Sequence, residues 1–217
     1  HDGVLSLGER HALAVAASAR MALQGLMQPP IVPNRVLALG ESSRLPHAAD
    51  EASAVAGLFS EGQACVGEQA NLSRLVALAP QADLIHLACH ALFRADNPMF
   101  SALHLADAAL TVEQVEGLRL KPAMVVLSAC ETGLADTGRG DEAFGLVRAF
   151  QVAGAARVVA SLWPVDDAVT ASFMAAFYSA WRAGQSPAEA LQAAQQQTRL
   201  THPHPAYWAA FALRGGW

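Results

Sequence analysis

Uninterrupted apolar runs alternate along this chain with stretches in which apolar residues recur every three or four positions. The most distinct apolar runs lie at 83–90, 123–130 and 157–162. Continuous runs are typical of parallel strands covered on both faces, whereas the wider spacing is typical of the helices that cover them. The alternation therefore predicts an α/β fold with a mostly parallel sheet and helices on both of its faces.

Shorter segments complete this pattern. We expect further strands at 35–39, 63–66, around 103–105 and, as a late edge strand, at 207–213. We expect helices at 48–59, 142–153, 168–182 and 187–200, a capped helix from Asn71 to Leu78, and a small helix from Thr111. A strand at 9–16 and a helix at 18–27 form an N-terminal extension over residues 1–30, and prolines near its end separate it from the core at 31–217.

Composition and charge exclude several classes of partner. The 217 residues suit one sizeable domain, and with 53% hydrophobic and 15% charged residues the chain has ample material for a core. The net charge is −5 and basic residues do not cluster, so nucleic acid is not an expected partner. No apolar run approaches the ~20 residues of a membrane span, so we expect no membrane partner. An odd count of three cysteines does not suit a disulfide framework and favours a reducing compartment such as the cytoplasm.

Two of the apolar runs end in side chains that can do chemistry together. His90 ends the first run and Cys130 ends the second. Ligands of open parallel sheets bind at the carboxyl ends of the strands, so the two side chains reach the same edge if their strands are neighbours. The histidine can accept the thiol proton and later protonate a leaving amine. Main-chain N–H groups at Ala91 and at Cys130 itself are the candidate donors to an oxyanion.

The residues around this pair resemble two motifs of the CHAT domains of bacteria, which are relatives of caspases and separases. The motifs are His-Leu-Ala-Cys-His-Ala-Leu-Phe at 86–93 and Leu-Ser-Ala-Cys-Glu-Thr-Gly at 127–133. The similarity continues through 140–150, 154–155, 159–167 and 208–211, so it extends from about residue 35 to about residue 213.

The resemblance implies a caspase-like three-layer α/β/α sandwich with a mostly parallel central sheet. It implies a cysteine endopeptidase that cleaves a protein substrate through an acyl-enzyme, with Cys130 as nucleophile, His90 as general acid and base, and no cofactor. It also implies upstream repeats, commonly tetratricopeptide repeats, that sense an activating protein partner. One residue departs from the family, which usually has glycine after the catalytic histidine where this chain has Ala91. That departure leaves open a catalytically degenerate interaction module.

We expect the pocket that receives the substrate residue before the cleaved bond to be acidic or neutral, not basic, because acidic residues lie on the neighbouring loops. An acidic pocket favours Lys or Arg in the substrate, because a buried unpaired carboxylate is costly. Asp166 or Asp167 can also cap the helix that begins near Ala168. The candidate pocket residues are Asp141, Glu142, Trp163, Asp166 and Asp167.

Other chemistries are less well supported by the sequence. His86 lies four residues before His90 on the same side of a strand, and we interpret it as a hydrogen-bonded core histidine. The cysteines lack Cys-x-x-Cys spacing, so no metal site is predicted. Residues 138–143 match a dinucleotide fingerprint only loosely and lie too far from the preceding strand. A nucleotide-binding α/β domain stays an alternative class, which stabilisation by NAD or ATP would support.

Overall fold

The central element of the molecule is a six-stranded sheet. The computed structural model describes residues 6–16, 18–27, 33–92, 97–121, 123–128 and 144–216. The central strands are β1 (Arg35–Gly40), β2 (Glu61–Val66), β3 (Leu84–Ala88), β7 (Ala123–Ser128), β8 (Ala155–Ser161) and β9 (Phe211–Gly215). Their order across the sheet is β2-β1-β3-β7-β8-β9, and every neighbouring pair is parallel except β8 and β9. A second, antiparallel sheet is formed by β4 (His90–Leu92), β5 (Ala102–His104) and β6 (Ala109–Thr111).

Helices fill most of the connections between these strands. They are α1 (Leu7–Arg10), α2 (Ala19–Met27), α3 (Ala48–Gly57), α4 (Leu72–Leu78), α5 (Val112–Glu116), α6 (Phe144–Val152), α7 (Asp167–Arg182), α8 (Pro187–Thr201) and α9 (Pro205–Trp208). Five of the described helices begin where a polar side chain accepts a hydrogen bond from a main-chain N–H of the first turn, which satisfies a donor that the helix leaves unpaired. The capping residues are Asn71, Thr111, Asp166, Ser186 and His204.

The sheet separates two apolar cores, as expected for strands that are buried on both faces. Ile85 and Val125 belong to the core that contains residues of α4, α5 and α6, whereas Leu84 and Met124 belong to the core that contains residues of α3, α7 and α8. Successive residues of a strand point to opposite faces, so a continuous apolar run serves both cores. The predicted three-layer α/β/α architecture with a mostly parallel sheet is confirmed.

The expectation of a strand at 9–16 was wrong. The chain forms the helical turn α1 there, and its first turn is held by a hydrogen bond of 2.6 Å from the Ser6 main-chain N–H to the Glu9 carboxylate. Only Val15 joins the sheet, through a single parallel bridge to Arg214 of β9. The helix expected at 18–27 is present as α2. The division of the chain near residue 30 stays a prediction.

Two further elements differ from their predicted form. The late strand begins only at Phe211, because Pro205 starts the short helix α9 and the His204 side chain accepts a hydrogen bond from the Ala206 main-chain N–H. The apolar run at 83–90 is not a single strand either. Strand β3 ends at Ala88, and His90 begins β4, which leaves the central sheet and pairs with β5.

Candidate active site

His90 lies just beyond the carboxyl end of β3, next to the middle of the central sheet. It is buried, with 6% of its surface exposed. In the antiparallel ladder of β4 and β5 it lies opposite His104, and the two ring centroids are 5.3 Å apart with planes inclined by 32°. The histidine singled out from the sequence therefore lies at the expected edge, beside a second imidazole.

The strand that leads to Cys130 is the neighbour of the strand that leads to His90. β3 and β7 are adjacent and parallel, and their register pairs Ala88 with Ser128. In the sequence, His90 and Cys130 each follow this aligned pair by two residues. The condition on which the sequence argument depended, that the two strands are neighbours, is met. Cys130 itself lies outside the described residues, as do Asp141 and Glu142.

Ala91 occupies the position where the family usually has glycine. It is fully buried, pairs with Leu103 in the ladder of β4 and β5, and does not have a positive φ. Glycine is needed where φ is positive, so the alanine methyl group adds no backbone strain at this position. The role of the Ala91 N–H as an oxyanion donor stays a prediction.

The three described candidates for the pocket follow β8, two strands away from β3. Trp163 is 37% exposed and its indole N–H donates a hydrogen bond of 2.8 Å to the Ala206 carbonyl. Asp166 accepts a hydrogen bond of 3.1 Å from the Val169 N–H and caps α7, which confirms the helix-cap interpretation. Asp167 accepts one of 2.9 Å from the main-chain N–H of His47, the residue before α3. The two carboxylates bind main-chain donors, and their role in a pocket stays a prediction.

Sequence reasoning missed a group of polar residues at the same edge. Glu41 directly follows β1, is 6% exposed, and donates its main-chain N–H to the Ala88 carbonyl at 2.9 Å. Its carboxylate accepts a hydrogen bond of 2.8 Å from the Ser43 N–H. Burial lowers the pKa of His104, Arg44 lowers it further, and Glu41 opposes both. The rule that singled out His90, a polar residue at the end of an apolar strand, also applies to Glu41. No sequence signal indicates that His104 lies opposite His90.

His86 belongs to a buried network on the face of the sheet that α3 and α7 cover. Its ring is fully buried, with Nδ1 3.0 Å from the Tyr178 hydroxyl and Nε2 2.9 Å from Oε1 of Glu51. Burial, and secondarily the charge of Glu51, raise the pKa of Tyr178 well above its ordinary value, so the phenol keeps its proton. The interpretation of His86 as a core histidine with polar partners is confirmed.

Among the described residues, no three side chains of His, Cys, Asp or Glu are grouped in a way that could hold a metal ion. Within those residues, no helix combines the length and the apolar character that crossing a membrane requires.

Comparison with known families identifies the chain's relatives. The family model of the CHAT domain matches residues 2–216. This chain belongs to the CHAT family. Among curated proteins, the CHAT domain described here is similar to tetratricopeptide repeat protein 28 of Mus musculus, with 29% identity over 86% of this chain and 9% of that protein. The protein of the same name from Homo sapiens is 28% identical over 91% of this chain and 10% of its own length. The chain thus spans about a tenth of the length of these relatives.

Solved structures of similar shape include two cysteine peptidases. Separase in the separase–securin complex of Saccharomyces cerevisiae matches 98% of this chain and 14% of its own with a TM-score of 0.70 and 16% identity. The Arg-specific cysteine proteinase gingipain R of Porphyromonas gingivalis matches 91% of this chain and 50% of its own, with a TM-score of 0.66 and 9% identity. At these identities the likeness shows the fold alone, and that fold is caspase-like.

Proposed function

We propose that this CHAT domain is a cysteine endopeptidase with Cys130 as the nucleophile and His90 as the general acid and base. The observation that carries the proposal is the parallel register of β3 and β7, in which Ala88 lies opposite Ser128. In the sequence, these neighbouring strands lead two residues further on to His90 and to Cys130. A thiol and an imidazole at the carboxyl ends of parallel strands are the groups that acyl transfer requires.

The reaction follows from the chemistry of the pair. His90 takes the proton from the Cys130 thiol, and the thiolate forms a bond to the carbonyl carbon of the scissile peptide. The N–H groups of Ala91 and Cys130 stabilise the oxyanion. The C–N bond then breaks as His90 gives its proton to the leaving amine, which leaves a thioester on Cys130. Water, deprotonated by His90, attacks the thioester and releases the carboxylic acid, and the proton returns to the thiol.

The substrate is a protein whose residue before the cleaved bond is basic. Support comes from the carboxylates that the sequence places in loops after the strands of the sheet. The candidate pocket consists of Asp141, Glu142, Trp163, Asp166 and Asp167. The structural neighbour gingipain R is described as Arg-specific. An activating protein partner acts through repeats upstream of the domain, a proposal consistent with the name of the curated relatives.

A randomised peptide library tests the activity, followed by kinetics on the best substrate. Cys130→Ala and His90→Ala should each lower kcat by about 10⁴-fold or more, and the double variant should be no worse, because the pair acts as a unit. Cys89→Ala is the matched control, because Cys89 is fully buried in the apolar core beside α4–α6 and should be dispensable for turnover. Full turnover in Cys130→Ala with loss in Cys89→Ala would show that the nucleophile is assigned wrongly.

One observation favours a second candidate function, that of a non-catalytic interaction module. Ala91 has no exposed surface, so a substrate reaches its N–H only after the covering chain moves. If no peptide is cleaved although iodoacetamide labels Cys130, the module is supported. Turnover that depends on Cys130 excludes it.

A further inference from the structure

His104 lies beside His90, and the pairing of two strands holds it there. The two residues are opposite each other in the antiparallel ladder of β4 and β5, with ring centroids 5.3 Å apart and planes inclined by 32°. At that distance the two rings are close neighbours, so rotation of one ring is limited by the other. His90 is buried and His104 is partly exposed, so the pair lies at the boundary between core and solvent.

The charge of His104 matters because of what His90 has to do. When His90 takes the thiol proton it becomes an imidazolium, and a second positive charge about 5 Å away would oppose that step. The charged groups acting on His104 are Arg44 and Glu41, both in the loop that follows β1, and the residue opposite it in β6 is the uncharged Ala109. Burial and Arg44 lower the pKa of His104, so its ring is neutral at neutral pH.

We propose that His104 is a positioning residue for the peptidase reaction, whose uncharged ring holds the imidazole of His90 in its reactive orientation. The inference rests on the proposed function of His90. His104 exchanges no proton with the substrate in this scheme and acts only through its neighbour. When it gains a proton in acid, it repels the imidazolium of His90, so turnover falls as the pH drops through the pKa of His104.

Three substitutions separate the ring from the charge. His104→Phe keeps a flat ring without a charge, His104→Leu removes the ring, and His104→Lys places a permanent charge beside His90. On a peptide that the parent cleaves, we expect His104→Phe to keep kcat within about threefold and to hold its activity to lower pH than the parent. We expect His104→Leu to lose about tenfold in kcat at unchanged KM, and His104→Lys to lose more, about the 10²-fold that misplacement of a catalytic group can cost. Circular dichroism checks that each variant is folded.

A titration of His90 followed by NMR tests the same inference without any turnover. The charge in His104→Lys should lower the pH at which His90 takes up its proton by about one unit relative to His104→Phe. Equal titration of His90 in His104→Lys and His104→Phe overturns the proposal. It is also overturned if His104→Leu and His104→Lys have the same kcat and the same pH profile as the parent. If the parent cleaves nothing, the proposed peptidase function fails and the NMR comparison alone decides whether His104 controls His90.

Discussion

At the scale of single residues, the buried network of Glu51, His86 and Tyr178 connects helices α3 and α7 to β3, one of the two central strands of the sheet. Glu51 comes from α3, His86 from β3 and Tyr178 from α7, and all three are at least nine-tenths buried. A polar group sealed in a core is costly when it has no partner, so the three residues depend on one another. His86, the member of the network on β3, lies four residues before His90. The network therefore anchors the strand that leads to the candidate site.

The raised pKa of Tyr178 has a measurable consequence for stability in alkali. The unfolded chain loses the phenol proton above about pH 10, whereas the folded chain keeps it, so this group favours unfolding as the pH rises above that value. We expect the free energy of unfolding in urea to fall less steeply with pH above about 10 in Tyr178→Phe than in the parent. Tyr207→Phe replaces the other of the two tyrosines and is the matched control. In that variant, tyrosinate absorbance should appear only as the protein unfolds, and its appearance in the folded state would contradict the prediction.

Ala91 allows a second prediction at this scale, because its φ is not positive. Ala91→Gly relieves no strain, so we expect an unchanged kcat and a loss of about 0.5–1 kcal/mol in stability from the added freedom of the unfolded chain. Ala91→Pro removes the N–H, and loss of one oxyanion donor typically costs about 10²–10³ in kcat. Kinetics on a folded Ala91→Pro variant decide the matter, since an undiminished kcat would mean that residue 91 donates nothing to the transition state.

At the scale of elements, the close approach of β1 to α3 determines where the polar residues of the edge lie. Gly40, the last residue of β1, packs against the first turn of α3, and a Cβ atom there would be 2.3 Å from the Ala48 carbonyl oxygen. No side chain fits that space without a shift of the helix. Glu41 follows directly, and its main-chain N–H donates to the Ala88 carbonyl at the end of β3.

Two glycines at the two ends of this unit give a matched pair of substitutions. Gly40→Ala should destabilise the fold by about 1–3 kcal/mol, because the backbone of α3 has to move to relieve the clash. Gly57, at the end of α3, has open space around its Cα, so Gly57→Ala should be neutral or stabilising by up to about 1 kcal/mol. Thermal unfolding of both variants measures the difference, and equal midpoints would contradict the close packing.

The buried strands and the capped helices were predictable from the sequence because local patterns specify them. The runs at 84–88, 123–128 and 155–161 are mostly apolar on both faces, and Asn71, Thr111 and Ser186 cap their helices with their own side chains. Pairing between distant segments was not predictable. Val15 forms one bridge instead of a strand, and His90 turns away to pair with His104. Both outcomes depend on what lies opposite in the folded chain, which a single sequence does not contain.

At the scale of the whole molecule, the strand order of the sheet explains why strands from distant parts of the chain end at the same edge. β1, β3, β7 and β8 are consecutive and parallel, so their carboxyl ends form one edge. Glu41, His90 and Trp163 follow three of these ends, and the sequence that leads to Cys130 follows the fourth. The antiparallel pairing of β4 with β5 then brings His104 opposite His90. The candidate site therefore depends on the topology, in which each of these strands leads to one of its residues.

The charge gathered at this edge leads to the last prediction, a preference for basic substrates. Glu41 is an almost buried acidic residue directly after β1, in a chain with a net charge of −5. A substrate guanidinium or ammonium group would pair with such a carboxylate, whereas a substrate carboxylate would be repelled. We expect kcat/KM for a peptide with Arg before the cleaved bond to exceed that for the Asp peptide by about 10²-fold, and the ratio to fall as salt is added.

Two variants identify which carboxylate is responsible. Glu41→Gln removes a charge at the end of β1 and should reduce the preference for Arg over Asp by about tenfold. The change should appear mainly in KM, because binding of the substrate's Arg side chain is weakened equally in the ground and transition states. Asp166→Asn tests the candidate pocket after β8 in the same way, because asparagine caps a helix as well as aspartate does and α7 keeps its first turn. If Asp166→Asn rather than Glu41→Gln changes the preference, the pocket lies after β8. A strict preference of the parent for Asp or Glu would contradict an acidic pocket altogether, because such a substrate needs a cationic partner. Arg44, whose positive charge acts on His104, is a cation of this region.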